Sequence, residues 1–144
     1  MRTILLVCLG LFVTSALRAQ DPCAAPSTSQ KATAAQAYVK QKNFGAAEGP
    51  AREALKACPS QPVAAWALGG SLFGQKRYAD TVAAMSGVIA AKPDVSYAYM
   101  WRGRAYYETK TLDKAVQDFQ VFLKLNPTAP EATNIKQILA ALQQ

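Results

Sequence analysis

The stretch YMWRGRAYYETKTLDKA, residues 99–115, sets Tyr99, Trp101, Tyr106 and Tyr107 around Arg102 and Arg104. Aromatic faces interleaved with guanidinium groups suit two tasks. They can stack and neutralise a single-stranded nucleic acid, or they can pack a helix face and leave charged heads at its rim. Other chemistry has few carriers in this chain. There is no His. Asp113 and Asp118 are five residues apart and so point to different faces of a helix. Ser86 and Ser96 have no base at a local spacing. No Cys/His cluster has metal-ligand spacing. Gly69-Gly70 falls inside a helical pattern, not in the loop before a helix where a phosphate cradle would lie. The residues point away from a catalytic site, a metal or a cofactor, and toward a binding surface.

The segment before those residues bears on where they would act. Met1-Arg2 is followed by the apolar run ILLVCLGLFV, residues 4–13, and then TSALRAQ. One positive charge, a short apolar run and small residues describe a secretory signal peptide over 1–19. Cleavage would fall after Ala19 or after Ala16. The run is shorter than the roughly 20 residues of a membrane span, so no stable span is expected after cleavage. A buried first helix or an uncleaved anchor is the alternative. The 144-residue chain carries a net charge of +7. Its 16 basic residues, less Arg2 and Arg18, leave 14 against 9 acidic, a net of +5. That balance favours an acidic partner. With 51% hydrophobic and 17% charged residues, the chain can bury one core.

Pro59, Pro93 and Pro127 stand 34 residues apart, each just after an apolar helical run: AREALKACP, MSGVIAAKP, FQVFLKLNP. Proline suits the turn after a helix because it cannot continue one. Aligned on these prolines, the third unit reads Tyr99, Arg102, Gly103, Tyr106, Ala115, Phe119. The second reads Leu68, Gly69, Leu72, Thr81, Met85, with Trp66 one place late. The first reads Ala34, Ala35, Tyr38, Ala47, Ala51 and lacks the leading aromatic and glycine. This spacing resembles the tetratricopeptide repeat, over nearly all of the chain beyond residue 27. Three units in phase make it specific. Arg102 in place of Leu and Thr81 in place of Ala are departures.

The resemblance implies an all-α solenoid of antiparallel helix hairpins in a right-handed superhelix, with about seven helices. A short segment at 20–27 precedes a domain over 28–144. Its repeats would run 28–61, 62–95 and 96–129, with a capping helix at about 130–143. Apolar periodicity puts the repeat helices near 28–42, 44–57, 62–75, 78–91, 96–109 and 112–125. Small residues (Ala35, Ala47, Gly69, Gly103, Ala115) should sit where helices touch. Tyr38, Leu72 and Tyr106 should fill the gaps between them. Thr128 with Glu131 three residues on reads as a capping box for the last helix.

The repeat register implies that Tyr99, Gly103 and Tyr106 are packing residues, so the arginine–aromatic run is a helix face and not a nucleic-acid surface. The family's concave groove is lined by the first helix of each repeat. Carried over, its lining is Ala32, Gln36, Val39 and Lys40, then Val63, Trp66, Gly70 and Phe73. Tyr97, Met100, Arg104 and Tyr107 follow, with Asn134 and Ile138 from the cap. Trp66, Phe73, Met100 and Tyr107 would hold a protein or an extended peptide, with Arg104 fixing its polarity and Tyr106 facing the core. A second copy filling the groove is the alternative occupant, and an unrecognised enzyme is a third. Some members grip a C-terminal carboxylate with Lys, Asn and Arg, but Ala32, Gln36, Ala67, Tyr97 and Trp101 stand at those positions, and none fits. In an antiparallel hairpin Cys23, before the first helix, and Cys58, ending the second, come close. A disulfide is expected in an oxidising compartment, and two unpaired small residues are the alternative. The fit is thus an exported, non-catalytic binding scaffold of the cell envelope.

Overall fold

The computed structural model describes residues 21–142, so the expected signal segment, residues 1–19, lies outside the described residues. Seven helices run α1 (Pro26–Lys40), α2 (Phe44–Ala57), α3 (Pro62–Gly74), α4 (Tyr78–Ala91), α5 (Ser96–Glu108), α6 (Leu112–Leu125) and α7 (Ala132–Leu142), with no strand among the described residues. None of these helices is long and apolar enough to cross a membrane.

The 34-residue register explains the packing. Ala35, Gly69 and Gly103 occupy equivalent places, as do Ala47, Thr81 and Ala115, and all six are buried. So are the next two sets, Ala51, Met85 and Phe119, then Ala54, Val88 and Phe122. Each first helix meets its second where these residues face each other. At Gly103 an added Cβ would lie 2.8 Å from the Phe119 ring and 3.1 Å from the Asp118 Cβ, so the α5–α6 crossing depends on a missing side chain. First helices also pack side by side, α1 on α3 and α3 on α5, and the second helices lie behind them.

The three hairpin turns share one geometry. Lys42, Lys76 and Lys110 have φ of 59°, 59° and 61°. Each ends its first helix as glycine commonly does, with the next N–H returning to the carbonyl of Tyr38, Leu72 or Tyr106. A side chain in this left-handed conformation costs about 1–2 kcal/mol.

Several expectations need correction. Tyr38 is 37% exposed and fills no gap, because the alanines of the first hairpin already let α1 and α2 close up. Tyr106 is only half-buried. Its ring lies 6.0 Å from the Arg102 guanidinium and 5.4 Å from the Lys114 ammonium, so it covers charged stems at the edge of the core. Arg102, at the usual leucine position, is held by Asp118. Its Nε donates to Oδ2 and its Nη2 to Oδ1, both at 2.8 Å, and its Nη1 donates to Ser86. The expected capping box does not form. Residues 127–131 make turns, α7 starts at Ala132, and the Glu131 side chain reaches across to Trp66 instead.

Before α1, Cys23 and Cys58 are bonded with Cα atoms 4.8 Å apart, tying the segment at 21–25 to the end of α2. Thr28, buried in the first turn, donates its hydroxyl to the Pro22 carbonyl and fixes the same corner.

Candidate binding groove

The groove floor is an aromatic cluster set by two glycines. Trp101 of α5 lies against α3 where Gly69 and Gly70 leave room. A Cβ on Gly69 would come within 2.7 Å of the Trp101 Cβ, and one on Gly70 within 3.1 Å of its indole. Buried to 7% exposure, Trp101 meets Phe73 at 5.4 Å and Trp66 edge-on at 6.2 Å between ring centroids. Tyr78 joins Phe73 at 5.3 Å. Such contacts hold rings in place beyond their area of burial, so Trp66 and Phe73 project from a rigid base.

Two hollows open on this face. The first, about 340 Å³, is lined by Gln36, Lys40, Val63, Trp66, Tyr97 and Glu131, beside Pro130. The second, about 210 Å³, is lined by Phe73, Arg104, Tyr107, Asn134 and Ile138, with Glu108 at its side. The turn before α7 and the first turn of α7 each make one polar link to the first helices. The Trp66 indole N–H donates to Glu131 Oε1 at 3.0 Å, and Arg104 Nη2 donates to Asn134 Oδ1 at 3.2 Å. The Arg104 guanidinium also lies 5.1 Å from the Trp101 ring centre. Burial pushes Arg104 below its ordinary value, and the Glu131 charge opposes that shift. Burial and Glu131 together push the Tyr97 hydroxyl up.

The structure thus gathers Gln36, Lys40, Trp66 and Tyr97 at one hollow, and Phe73, Arg104, Tyr107 and Asn134 at the other. It does not bring Met100 to the surface. That side chain is 0% exposed, in the core cluster that also holds Ala132, Ile135 and Leu139 of α7. The equivalent position is half-open in the second hairpin, at Trp66, and buried in the first and third, at Ala32 and Met100. Ala32, Val39 and Gly70, also expected to line the groove, are buried too. Ala32 and Val39 lie in core clusters, and Gly70 is covered by Val39 and Trp101.

Two further residues belong to the groove. The adjacent Gly69-Gly70 pair leaves a place for a large ring, which Trp101 fills. Nothing local in the sequence shows the reach of Glu131 to Trp66, 65 residues away. A further hollow of about 270 Å³ lies on the outer face between α2 and α4, with Leu55, Leu68 and Val88 in its floor and Arg52 and Lys56 at its rim. It has neither stacked rings nor convergent polar groups. Among the described residues no cluster of His, Cys, Asp or Glu is placed to hold a metal.

Stacked helix hairpins at a 34-residue period, followed by a seventh helix and opening a groove along their first helices, define a helical-repeat protein. The chain belongs to the tetratricopeptide repeat family: the family model described as "Tetratricopeptide repeat" matches residues 33–94 and 67–130. No curated protein matches the chain by sequence. Among solved structures it is similar to the first TPR of Spaghetti (RPAP3) bound to the HSP90 peptide SRMEEVD, at 25% identity and a TM-score of 0.66, over 82% of this chain and 94% of that one. It is also similar to the first TPR domain of human RPAP3, at 26% identity and a TM-score of 0.66, over 80% and 94%. A third likeness is to the Yersinia enterocolitica type III secretion translocator chaperone SycD. That structure matches at 11% identity and a TM-score of 0.70 over 83% and 93%, and shows the fold alone.

Proposed function

We propose that this protein is a non-catalytic scaffold that holds an extended peptide, or an extended segment of another protein, in its concave groove. The observation that carries this is the pair of hollows beside a base of stacked aromatics, each lined by rings and polar side chains. Trp, Tyr and Arg are the residues that most often dominate binding surfaces. The related RPAP3 domain, seen with the peptide SRMEEVD, supports a peptide as the kind of ligand. The manner of holding it differs. Of the positions at which some relatives grip a C-terminal carboxylate, Ala32, Ala67 and Trp101 are buried here, and Gln36 and Tyr97 supply no cation.

We further propose that the chain works after export, in the cell envelope. The signal-type segment at residues 1–19 and the Cys23–Cys58 pair both suit an oxidising compartment. The test is capture of a partner by the mature chain from its native envelope fraction, with the mass of the free protein followed against concentration. Capture by the mature chain, and its loss with Tyr107→Ala, support the reading. A stable dimer that buries Trp66 and Tyr107 and captures nothing would replace it with self-association.

A further inference from the structure

Glu131 stands where the surrounding groups are suited to an anion. It shares the first hollow with Lys40 and Tyr97, and its Oε1 accepts the Trp66 indole N–H. Arg104 lines the second hollow and gives its Nη2 to the Asn134 side-chain oxygen. Three atoms along this seam are buried without a hydrogen-bond partner among the described residues: Trp101 Nε1, Arg104 Nε and Glu131 Oε2. The donors belong to α5 and the acceptor to the turn before α7. A polar atom shut in without a partner loses the hydrogen bond that water would give it. The closed seam is therefore stressed at one point, between the groove floor and the segment that crosses it.

We propose that Glu131 is a built-in occupant of a carboxylate site, and that an Asp or Glu side chain of the partner, within an extended apolar-flanked segment, displaces it. The donor inventory selects this chemistry. The Lys40 ammonium, the Arg104 guanidinium and the Trp66 and Trp101 indoles only donate. A basic group entering here would meet like charge. A carboxylate would meet several donors and could take Arg104 through two parallel bonds, engaging the unpaired Nε. Displacement would also return Glu131 Oε2 to water. Glu131 itself lies in the turn before α7, outside the three hairpins, and α7 packs mainly on α6. Apolar residues flanking the partner's acid would then enter the two hollows. The inference rests on the reading that the groove holds a peptide. It adds the chemistry of that peptide and the group that competes with it.

The experiment compares the mature chain with its Glu131→Gln and Glu131→Ala variants on pools of short peptides with acetylated and amidated ends. The pools carry a fixed central Glu, Gln or Lys and apolar flanks. Affinity is read by fluorescence polarisation and fold by thermal melting. The Glu pool should bind the parent best, and Glu131→Ala should tighten it by roughly fivefold or more, the size of a modest coupling between competing occupants. Glu131→Gln keeps an acceptor for Trp66 and should tighten binding less, which separates loss of charge from loss of the turn. Preference for the Lys or Gln pool, or weaker Glu-pool binding in both variants while they melt like the parent, overturns the internal occupant but leaves the groove reading standing. Failure of every pool on all three proteins overturns both.

Discussion

The first and third hairpins share a register but not a means of cohesion. Where α1 and α2 meet, the facing residues are Ala35, Ala47, Ala51 and Ala54; where α5 and α6 meet they are Gly103, Ala115, Phe119 and Phe122. Methyl groups bury little area, and burial contributes roughly 25 cal/mol per Å². The hairpin with the small core is the one closed by Cys23–Cys58, a bond spanning 35 residues. The hairpin with the large core has no disulfide and instead carries a paired charge, Arg102–Asp118. One repeat geometry is thus held at one end by limiting the unfolded chain and at the other by burial and a specific ion pair. Single changes should therefore act differently at the two ends.

The largest effect is expected in the third hairpin. Arg102→Leu installs the residue usual at this position but strands Asp118, whose side chain is 7% exposed. Breaking a buried pair from one side costs about 3–5 kcal/mol. Adding Asp118→Ala to it should recover much of that loss, because no buried charge remains. Urea unfolding of the single and double variants measures both, and a single variant as stable as the parent would remove the ion pair from the account. Next is the first hairpin. Cys58→Ser, or reduction, should lower stability by roughly 3–4 kcal/mol on the chain-entropy account. Hydrogen exchange should show α1 and α2 opening first. Two free thiols in protein taken from its native compartment would contradict the pairing.

Smaller effects sharpen the register. Gly103→Leu forces side-chain atoms into Phe119 and should cost about 1–3 kcal/mol, whereas Lys110→Ala should stay within roughly 0.5 kcal/mol. Equal melting temperatures for these two would mean the helices do not cross where described. Lys110→Gly should stabilise by up to about 1 kcal/mol, since the turn at φ 61° then loses its side-chain strain. The least effect is electrostatic. Burial alone would raise the Glu48 carboxyl, but hydrogen bonds from Arg52 and Arg77 outweigh it and hold the group below its ordinary value. A lowered folded value means that its contribution is present above the unfolded carboxylate range, near pH 4.5, and is lost as pH falls through the folded value. On this partly exposed network the contribution should be under about 1 kcal/mol. Glu48→Gln should flatten the acid limb of the stability curve slightly.

The solenoid was legible because its signal repeats. Three prolines and three sets of small residues recur at one period, so errors at one site are corrected by the other two. The hollows were partly legible for the same reason, since the register assigns a face to Gln36, Trp66 and Tyr107. It failed where one unit departs from the others. Met100 is buried in the core though Trp66, its equivalent, stays half-open. Glu131 crosses the groove because of tertiary placement that no local pattern encodes. Arg102 and Asp118 are 16 residues apart on two helices. Asp113, on the same helix, gives no sign of the partner that Asp118 meets across the hairpin.

The central claim is that the inner face, not the outer one, holds the partner. The direct measurement is the affinity of the captured partner for Tyr107→Ala, which alters the inner hollow, and for Lys56→Ala, at the rim of the outer hollow, with melting temperature followed for both. Tyr107→Ala should weaken binding by about 1 kcal/mol or more with the fold largely kept, and Lys56→Ala should leave affinity within a factor of about two. Full affinity in Tyr107→Ala together with loss in Lys56→Ala would place the partner on the outer face and contradict the account.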